Sequence, residues 1–321
     1  MPEAAILNSG SHSLWPRRET LETALPFLAL LVMLGIIFAV RPTVFSYFGL
    51  TLLFKLAIPL MFAALSQMLI INLGEIDLSN GAFVGLVTCI VAVYLEKAPG
   101  HAVLLLVGTV LVYVAVGWLI SVRKLPSIVV TLGMSFVWLG CAIIILPAPG
   151  GHSPAWLIDA MRWKPPLMPL PLWTALGIAV IGHWALKSSS YGIVLRGAGA
   201  NPKSVARAGW SLVKARLLLY AGAALLAVIA GLFLSGITTS GDPNVAPGYT
   251  MLGVGAVILG GGTFNGGVVS PIGTVVGALT LSLASSVLSF LQVAPVWQIG
   301  AQGLILFLVL AGRVLIGGRR L

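Results

Sequence analysis

Long apolar stretches with very few charges between them dominate this sequence of 321 residues. Charged residues make up 8% of the chain and hydrophobic residues 59%, and the mean hydropathy is +1.07. A soluble domain carries about a quarter charged residues, so this chain cannot surround one core with a solvated surface. Lipid must cover most of it, and the sequence predicts an all-α, polytopic integral membrane protein.

Ten apolar segments are candidate membrane spans, because crossing the hydrocarbon takes roughly 20 mostly apolar residues. The first segment is followed by Arg41 and Pro42 rather than by a small-residue cleavage site, so it is predicted to be a retained helix and not a signal peptide. The whole of 24–312 is predicted to be one α-helical membrane domain, between a cytoplasmic segment, 1–23, and a cytoplasmic tail, 313–321. The predicted spans are 24–40, 50–73, 81–95, 102–120, 128–146, 170–186, 217–235, 250–264, 270–291 and 297–312.

The positions of the cations predict the orientation. The net charge is +10, but the 18 Lys and Arg residues lie at helix ends without forming a basic stripe, which argues against a nucleic-acid partner. With a cytoplasmic N-terminus and ten spans, thirteen cations fall inside and four outside, a strong positive-inside bias that puts both termini in the cytoplasm. The inner cations are Arg17, Arg18, Arg123, Lys124, Lys187, Arg196, Lys203, Arg207, Lys214, Arg216, Arg313, Arg319 and Arg320; the outer ones are Arg41, Lys97, Arg162 and Lys164.

A short helix is predicted inside the inner loop, residues 187–216. Asn201 can cap free backbone N–H groups, Pro202 suits the first helical position, and Gly209 is a natural residue to end a helix. Such a helix could be stiff enough to transmit a push between two membrane helices. It could equally be an amphipathic connector whose cations rest on lipid headgroups, and the local sequence leaves both interpretations open.

A polar segment interrupts the apolar pattern at 72–81 and brings two carboxylates, Glu75 and Asp77, between long apolar helices. Carboxylates in such surroundings are costly and usually face protein or water. The segment is either a helix break that lines a translocation route or helix punctuation, with Gly74 ending one helix and Asp77 or Ser79 capping the next. The candidate residues for the path or the break are Gln67, Asn72, Gly74, Glu75, Asp77, Ser79 and Asn265.

Two other functions could use the same carboxylates. A secondary transporter or channel would use Glu75 and Asp77 as ion-coupling groups, and an intramembrane enzyme would use them with a metal. The enzyme hypothesis lacks further ligands, since no His or third carboxylate lies nearby in the sequence. The run of glycines at 259–267 is not a phosphate-binding loop, because no Lys follows it as a Walker A motif requires. It predicts a tight turn or a close helix contact.

Several segments together resemble the ribose-type ABC importer permeases. The stretch 68–82 resembles the signature GGIDLSVG of that family, 125–133 resembles PFIVTLG, and 199–209 resembles GGNPEAARLSGI. The segments Gly248-Tyr249, 256–263 and 271–279 follow in the order expected. The resemblance covers roughly 50–312. It departs at Glu75, where the family commonly has Gly, and at Asn80, where Val is common.

The resemblance implies the membrane subunit of a bacterial inner-membrane importer for a sugar or related polyol. It implies that the subunit pairs with itself or with a sister permease, and that a periplasmic binding protein delivers the solute. Cytoplasmic ATPase subunits would dock on the 201–209 helix and hydrolyse ATP, because this chain contains no ATP-binding motif and is expected to bind no cofactor of its own. The docking residues that the resemblance implies are Gly199, Asn201, Pro202, Lys203, Ala206, Arg207 and Gly209.

Overall fold

A computed structural model describes residues 18–292 together with positions 294, 297, 300, 303, 304, 307 and 311; of residues 18–23 it describes the backbone. The described residues contain no β-strand, only one isolated antiparallel bridge between Gly150 and Gly241. The predicted tenth span, 297–312, and the tail, 313–321, lie largely or wholly outside the described residues. The α-helices are α1 Arg18–Val40, α2 Tyr47–Phe54, α3 Ala57–Ile71, α4 Asn80–Ile90, α5 Pro99–Arg123, α6 Ser127–Ile145, α7 Ala155–Arg162, α8 Leu170–His183, α9 Ser190–Ala200, α10 Pro202–Arg207, α11 Leu212–Thr238, α12 Pro247–Leu259 and α13 Pro271–Phe290.

Five helices are long and apolar enough to cross a membrane: α5, α6, α11, α13, and α8 with the π-turn Trp184–Ser188 that continues it. A sixth span is possible if α2 and α3 are taken together, although a bend of 41° separates them. The predicted span 50–73 is therefore broken. The protein is a multi-pass, all-α membrane protein with five or six such spans among its described residues, and the count of ten stays a prediction.

The centre of the bundle is α3. All of its residues except Leu69 are buried, and it packs against α11, α12 and α13. A helix that is apolar on every side fits such a position, because it leaves no polar face for solvent. By contrast, α5 and α6 keep most of their apolar side chains on the outside, where lipid can cover them. The fold therefore has a protein-buried inner helix within a lipid-facing outer set.

Small residues bring α12 and α13 into close contact. Gly273 lies against the backbone of Gly260, and Gly277 lies against the carbonyl group of Ala256, so that no side chain separates the two helices. Inside a bilayer, helices associate by van der Waals packing and not by burial from water, and small residues allow the closest approach. Gly260 belongs to the glycine run at 259–267, so one of the two roles predicted for that run, a close helix contact, is confirmed.

Two helices in the interior are shorter than a span. The side chain of Asn80, the first residue of α4, donates to the carbonyl oxygen of Ala63 at 2.9 Å, so α4 begins beside the middle of α3 and not beside its end. The segment before α12 runs along α4, where the Thr88 hydroxyl contacts the backbone of Asp242. Gly81 then donates its N–H to Thr250 in the first turn of α12. The helices α4 and α12 therefore begin next to each other inside the protein.

The two ends of the bundle are marked by α7 and α10, which lie at opposite ends of α11. At the α7 end, the Ser153 hydroxyl donates to the Ser235 carbonyl, in the last turns of α11. The loop that precedes α7 is attached by backbone bonds in both directions between Gly150 and Gly241, at 3.0 and 2.8 Å. At the other end, α10 leads directly into the first turn of α11.

Substituting Gly277 with Ala should weaken the α12–α13 contact. The added Cβ would collide with the Ala256 carbonyl oxygen, and overpacking of this kind costs about 1–3 kcal/mol. A lower Tm of the purified protein in detergent is expected. The matched control is Gly133→Ala in the exposed α6, where a Cβ meets nothing within 4 Å and no loss of stability is expected. Equal Tm values for the two variants would contradict the close packing.

Candidate functional site

The candidate site is the helix break, residues 72–79, which connects α3 to α4. Gly74 has φ of +74°, a conformation that glycine adopts without strain, and it turns the chain sharply after α3. The Asp77 carboxylate then accepts hydrogen bonds from the Ser79 N–H at 2.7 Å and from the Ser79 hydroxyl at 2.6 Å. The Ser79 side chain itself caps nothing. Of the two predicted caps of α4, Asp77 is therefore the residue that accepts from the backbone.

Asp77 is enclosed by protein on all sides, with an exposed fraction of 1%. Its second carboxylate oxygen accepts from the Tyr113 hydroxyl of α5. The Gln67 amide pairs with the Asp77 backbone, its nitrogen donating to the carbonyl and its oxygen accepting from the N–H, both at 3.1 Å, in the amide orientation that satisfies both groups. The Leu78 N–H donates to the Thr131 hydroxyl of α6 at 3.0 Å. The break is thus fixed to α3, α5 and α6.

Glu75 is bound to a different helix. Its carboxylate forms an ion pair with Arg216 of α11 at 2.9 Å and accepts from the Tyr220 hydroxyl at 2.6 Å. The side chain of Glu75 is 11% exposed and that of Arg216 28%, so water screens this pair only in part. The rings of Tyr113 and Tyr220 lie 6.1 Å apart, so the partners of the two carboxylates are neighbours although the carboxylates point to separate helices.

The two carboxylates have separate hydrogen-bond partners. Each already has its own donors, and the described residues contain no group of three His, Cys, Asp or Glu side chains that could hold a metal ion. The arrangement instead connects a non-helical segment to four surrounding helices, α3, α5, α6 and α11.

A small cavity adjoins Asp77 between α4, α5, α6 and α11. Its volume is about 10 Å³, which is about the room that one water molecule needs and far less than a sugar needs. The indole N–H of the buried Trp138 lines it and finds no acceptor among the described residues. In this conformation the break is therefore closed to any solute of sugar size. The cavity is lined by Asp77, Ser79, Tyr113, Val116, Thr131, Met134, Trp138 and Tyr220.

The α10 end of the break meets two other segments. The Asn72 side chain donates to the Leu195 carbonyl of α9 at 2.8 Å, and the Asn72 carbonyl accepts from Gly267 at 2.8 Å. Gly199, in the last turn of α9, lies directly against the same Asn72 carbonyl. The backbone at Asn265 approaches Gly74, while the Asn265 side chain is exposed. Asn72 is thus the residue at which the break, α9 and the loop after α12 come together.

The predicted short helix in the inner loop is present as α10. The Asn201 side chain accepts from the Ser204 N–H at 3.1 Å, and Pro202 is the first helical residue. Gly209 follows the helix with φ of +82°. The buried Val205 packs on Gly197 of α9. The remaining predicted docking residues are exposed: Lys203, Ala206 and Arg207.

Several residues of the site were not singled out as site residues from the sequence. Tyr113 and Tyr220 each lie in the middle of an apolar helix, where a buried tyrosine hydroxyl usually needs a partner, and this was the available signal. Arg216 entered the sequence argument only as an inner cation. The helix α9 was also missed, because its three glycines at 192, 197 and 199 hide an otherwise helical stretch capped by Ser189.

Short helices that begin at the middle of a bundle, beside buried non-helical backbone, are typical of membrane transport proteins. Comparison with known proteins identifies the class of transport protein. Over residues 49–310 the chain matches the family described as "Branched-chain amino acid transport system / permease component". The chain belongs to this family, and it is the permease component of an ABC importer.

The similar curated proteins are sugar and signal-molecule importers. The chain is 23% identical to the ribose import permease protein RbsC of Haemophilus influenzae, covering 92% of this chain and 94% of that protein. It is 25% identical to RbsC of Escherichia coli K12, covering 88% and 90%. It is 28% identical to the autoinducer 2 import system permease protein LsrC of an Enterobacter species, covering 90% and 86%. No solved structure matches the chain.

Removing the two tyrosine hydroxyls separately should have unequal effects on stability. In Tyr113→Phe the fully buried Asp77 loses a donor, which costs about 1–3 kcal/mol for a buried acceptor. In Tyr220→Phe the Glu75 carboxylate keeps its ion pair with Arg216, so a smaller loss is expected. Thermal unfolding of both variants in detergent measures the difference. A larger loss of stability for Tyr220→Phe would contradict the expectation that the hydrogen bond to the enclosed Asp77 contributes more than the one to Glu75.

Proposed function

We propose that this chain forms the translocation path for a sugar or related polyol and that α10 receives the movement of a separate ATPase. The observation that carries the proposal is the contact of Gly199 and Leu195 with Asn72, because it connects the segment before α10 to the helix break. A shift of α10 would pull on α9, and α9 is bonded to the end of α3. Movement at the docking helix therefore has a short, bonded route to the closed site beside Asp77.

The exposed side of α10 suits a docking element. Lys203, Ala206 and Arg207 face away from the bundle, while Val205 holds the helix on α9. A rigid, capped helix transmits a displacement better than a loop does, since its backbone bonds resist local bending. The ATPase would hydrolyse ATP, and this chain would bind none. The ATPase would contact residues from Asn201 to Gly209, while Gly199, which the resemblance also includes in this set, would act by linking α9 to Asn72.

The proposed topology has ten spans, with both termini and α10 on the cytoplasmic side of a bacterial inner membrane. The exposed cations around α10 favour this orientation by the positive-inside rule. The short helices α4 and α12 would each cross part of the bilayer, and the non-helical segments beside them would complete the crossing. A second permease subunit, identical or related, would complete the path.

The periplasmic binding protein would dock at the α7 end. An open cleft of about 270 Å³ lies there, between the first turns of α7 and the end of α11. Its lining carries both signs of charge, with Asp159 and Arg162, and α7 holds its position through the buried Leu157 and Ile158. A rigid surface with polar groups is suited to reversible docking of a soluble partner.

The solute class is inferred from the relatives and from the path. Ribose, arabinose and autoinducer 2 give their names to similar permeases, whereas the family description names branched-chain amino acids. The closed site carries hydroxyl groups, the Asp77 carboxylate and the Trp138 indole beside the apolar Val116 and Met134, and these polar groups would form hydrogen bonds with a polyhydroxylated solute as it passes. A sugar or polyol therefore fits this chain better than an apolar amino acid.

The substitution Ala206→Pro should uncouple transport. Proline in the last turn of α10 removes a backbone hydrogen bond and clashes with the preceding turn, which costs about 3 kcal/mol or more and breaks this short helix. The chain is reconstituted in liposomes with the proposed partner ATPase and binding protein, and uptake is measured over a panel of labelled pentoses, hexoses and polyols. We expect at least a tenfold loss of ATP-dependent uptake with normal membrane insertion.

Ala206→Ser, which keeps the helix, is the matched control and should transport normally. Full uptake by Ala206→Pro would refute the docking role of α10. A further arm omits the ATPase and applies an ion gradient. Uptake by the chain alone under that gradient would instead support the secondary transporter or channel, with Glu75 and Asp77 as its ion-coupling groups.

The route from α10 to the break can be tested separately with Gly199→Ala. The added methyl group would collide with the Asn72 carbonyl and would push α9 away from the break, while the exposed surface of α10 is unchanged. We expect the ATPase to bind as it does to the unmodified chain, and uptake to fall at least tenfold. Gly177→Ala in α8, where a Cβ meets nothing within 4 Å, is the control. Normal uptake by Gly199→Ala would contradict the route through Asn72.

A further inference from the structure

Two cations lie side by side where α8 meets α9. The Arg196 side chain donates from its Nε at 2.9 Å to the carbonyl oxygen of Leu186, the residue before Lys187, so Arg196 lies at the end of the span that carries Lys187. The sequence contains no Asp or Glu between Asp159 and Asp242. In the part of the chain that the structure describes, neither cation forms an ion pair. An anion that pairs with them would therefore come from outside the part of the chain that the structure describes.

The position of this pair along α8 corresponds to the headgroup level of a bilayer. The span Leu170–Ser188 contains 19 residues, and at 1.5 Å per residue it is about 28 Å long, close to the thickness of the hydrocarbon. Lys187 is the second-last residue of this span. The backbone then becomes extended at Ser189, and α9 starts in a new direction. The two cations thus lie at the boundary between lipid tails and headgroups, at the α10 end.

Exposed aromatic residues surround the pair. Trp184 is 68% exposed and Tyr191 67% exposed, and Tyr191 packs edge-on against Trp210 with ring centroids 5.8 Å apart. Trp and Tyr are enriched at the membrane interface, where their rings lie among the headgroups. Ile193, also exposed, extends the apolar side of α9 next to Tyr191. This is the composition of a surface that contacts lipid and not water.

We propose that Lys187 and Arg196 bind the phosphate of an anionic phospholipid in the leaflet at the α10 end, with Trp184 and Tyr191 against its glycerol and upper acyl chain. Both cations lie at the end of the α8 span, at the level of a lipid phosphate, and the exposed aromatic side chains offer the apolar contact that a free anion would not need. The bound lipid neutralises a pair of like charges and holds the connection between α8 and α9. The proposal is independent of the solute and of the ATPase.

Native mass spectrometry of the full chain tests this, with the protein exchanged from nanodiscs of phosphatidylcholine containing increasing fractions of phosphatidylglycerol. We expect the unmodified chain to retain phosphatidylglycerol in preference to phosphatidylcholine. Lys187→Gln should weaken that preference about fivefold, the equivalent of ~1 kcal/mol for one basic residue at an anionic surface. Lys187→Arg should keep it. Lys97→Gln, at the exposed start of α5, is the control and should behave as the unmodified chain does.

Three results would overturn the proposal. The first is an unmodified chain without any preference for phosphatidylglycerol, a measurement that needs no variant and so does not depend on the folding of one. The second is a preference that Lys187→Gln leaves intact. The third is binding of inorganic phosphate, measured by the same mass spectrometry in pure phosphatidylcholine nanodiscs, that equals the binding of phosphatidylglycerol. This result would identify a site for a free anion and not for a lipid.

Discussion

Buried backbone that is not helical must find its hydrogen bonds inside the protein, and this constraint shapes the centre of the molecule. The break at 72–79 runs back along α3, where the Gln67 amide pairs with both backbone groups of Asp77. On the other side, Thr131 of α6 accepts from the Leu78 N–H. Asp77 in turn accepts from the start of α4. Without these side chains α4 could not begin beside the middle of α3, and α12 would lose the neighbour against which its own first turn packs.

The same bonds tie the closed site to the surface of the α10 end. Asn72 connects the break to α9 and to the loop after α12, while Tyr113 and Tyr220 connect it to α5 and α11. In the proposed mechanism, a movement of α9 would reach the break through these hydrogen bonds and close backbone contacts. Widening the small cavity beside Asp77 would require these donors to separate, so opening and docking would be coupled by the same set of contacts.

The class of fold and the helix α10 could be predicted from the sequence because both follow from local rules: apolar runs imply lipid, and Asn201 with Pro202 starts a helix. The half-length helices could not be predicted in the same way. The apolar run at 250–264 does not reveal that its helix is Pro247–Leu259, because an extended buried segment can be as apolar as a helix. The hydrogen-bond partners of the two carboxylates could not be predicted from the sequence either, since Tyr113 lies 36 residues from Asp77 and Tyr220 lies 145 residues from Glu75.

The pairing of Glu75 with Arg216 has a consequence for how this chain can change over evolutionary time. Related permeases that the sequence resembles commonly have glycine at the position of Glu75. Here a return to glycine alone would leave Arg216 and the Tyr220 hydroxyl, both partly or wholly buried, without their acceptor. A change of Glu75 to glycine is therefore expected to cost less stability when Arg216 is replaced by an uncharged residue at the same time.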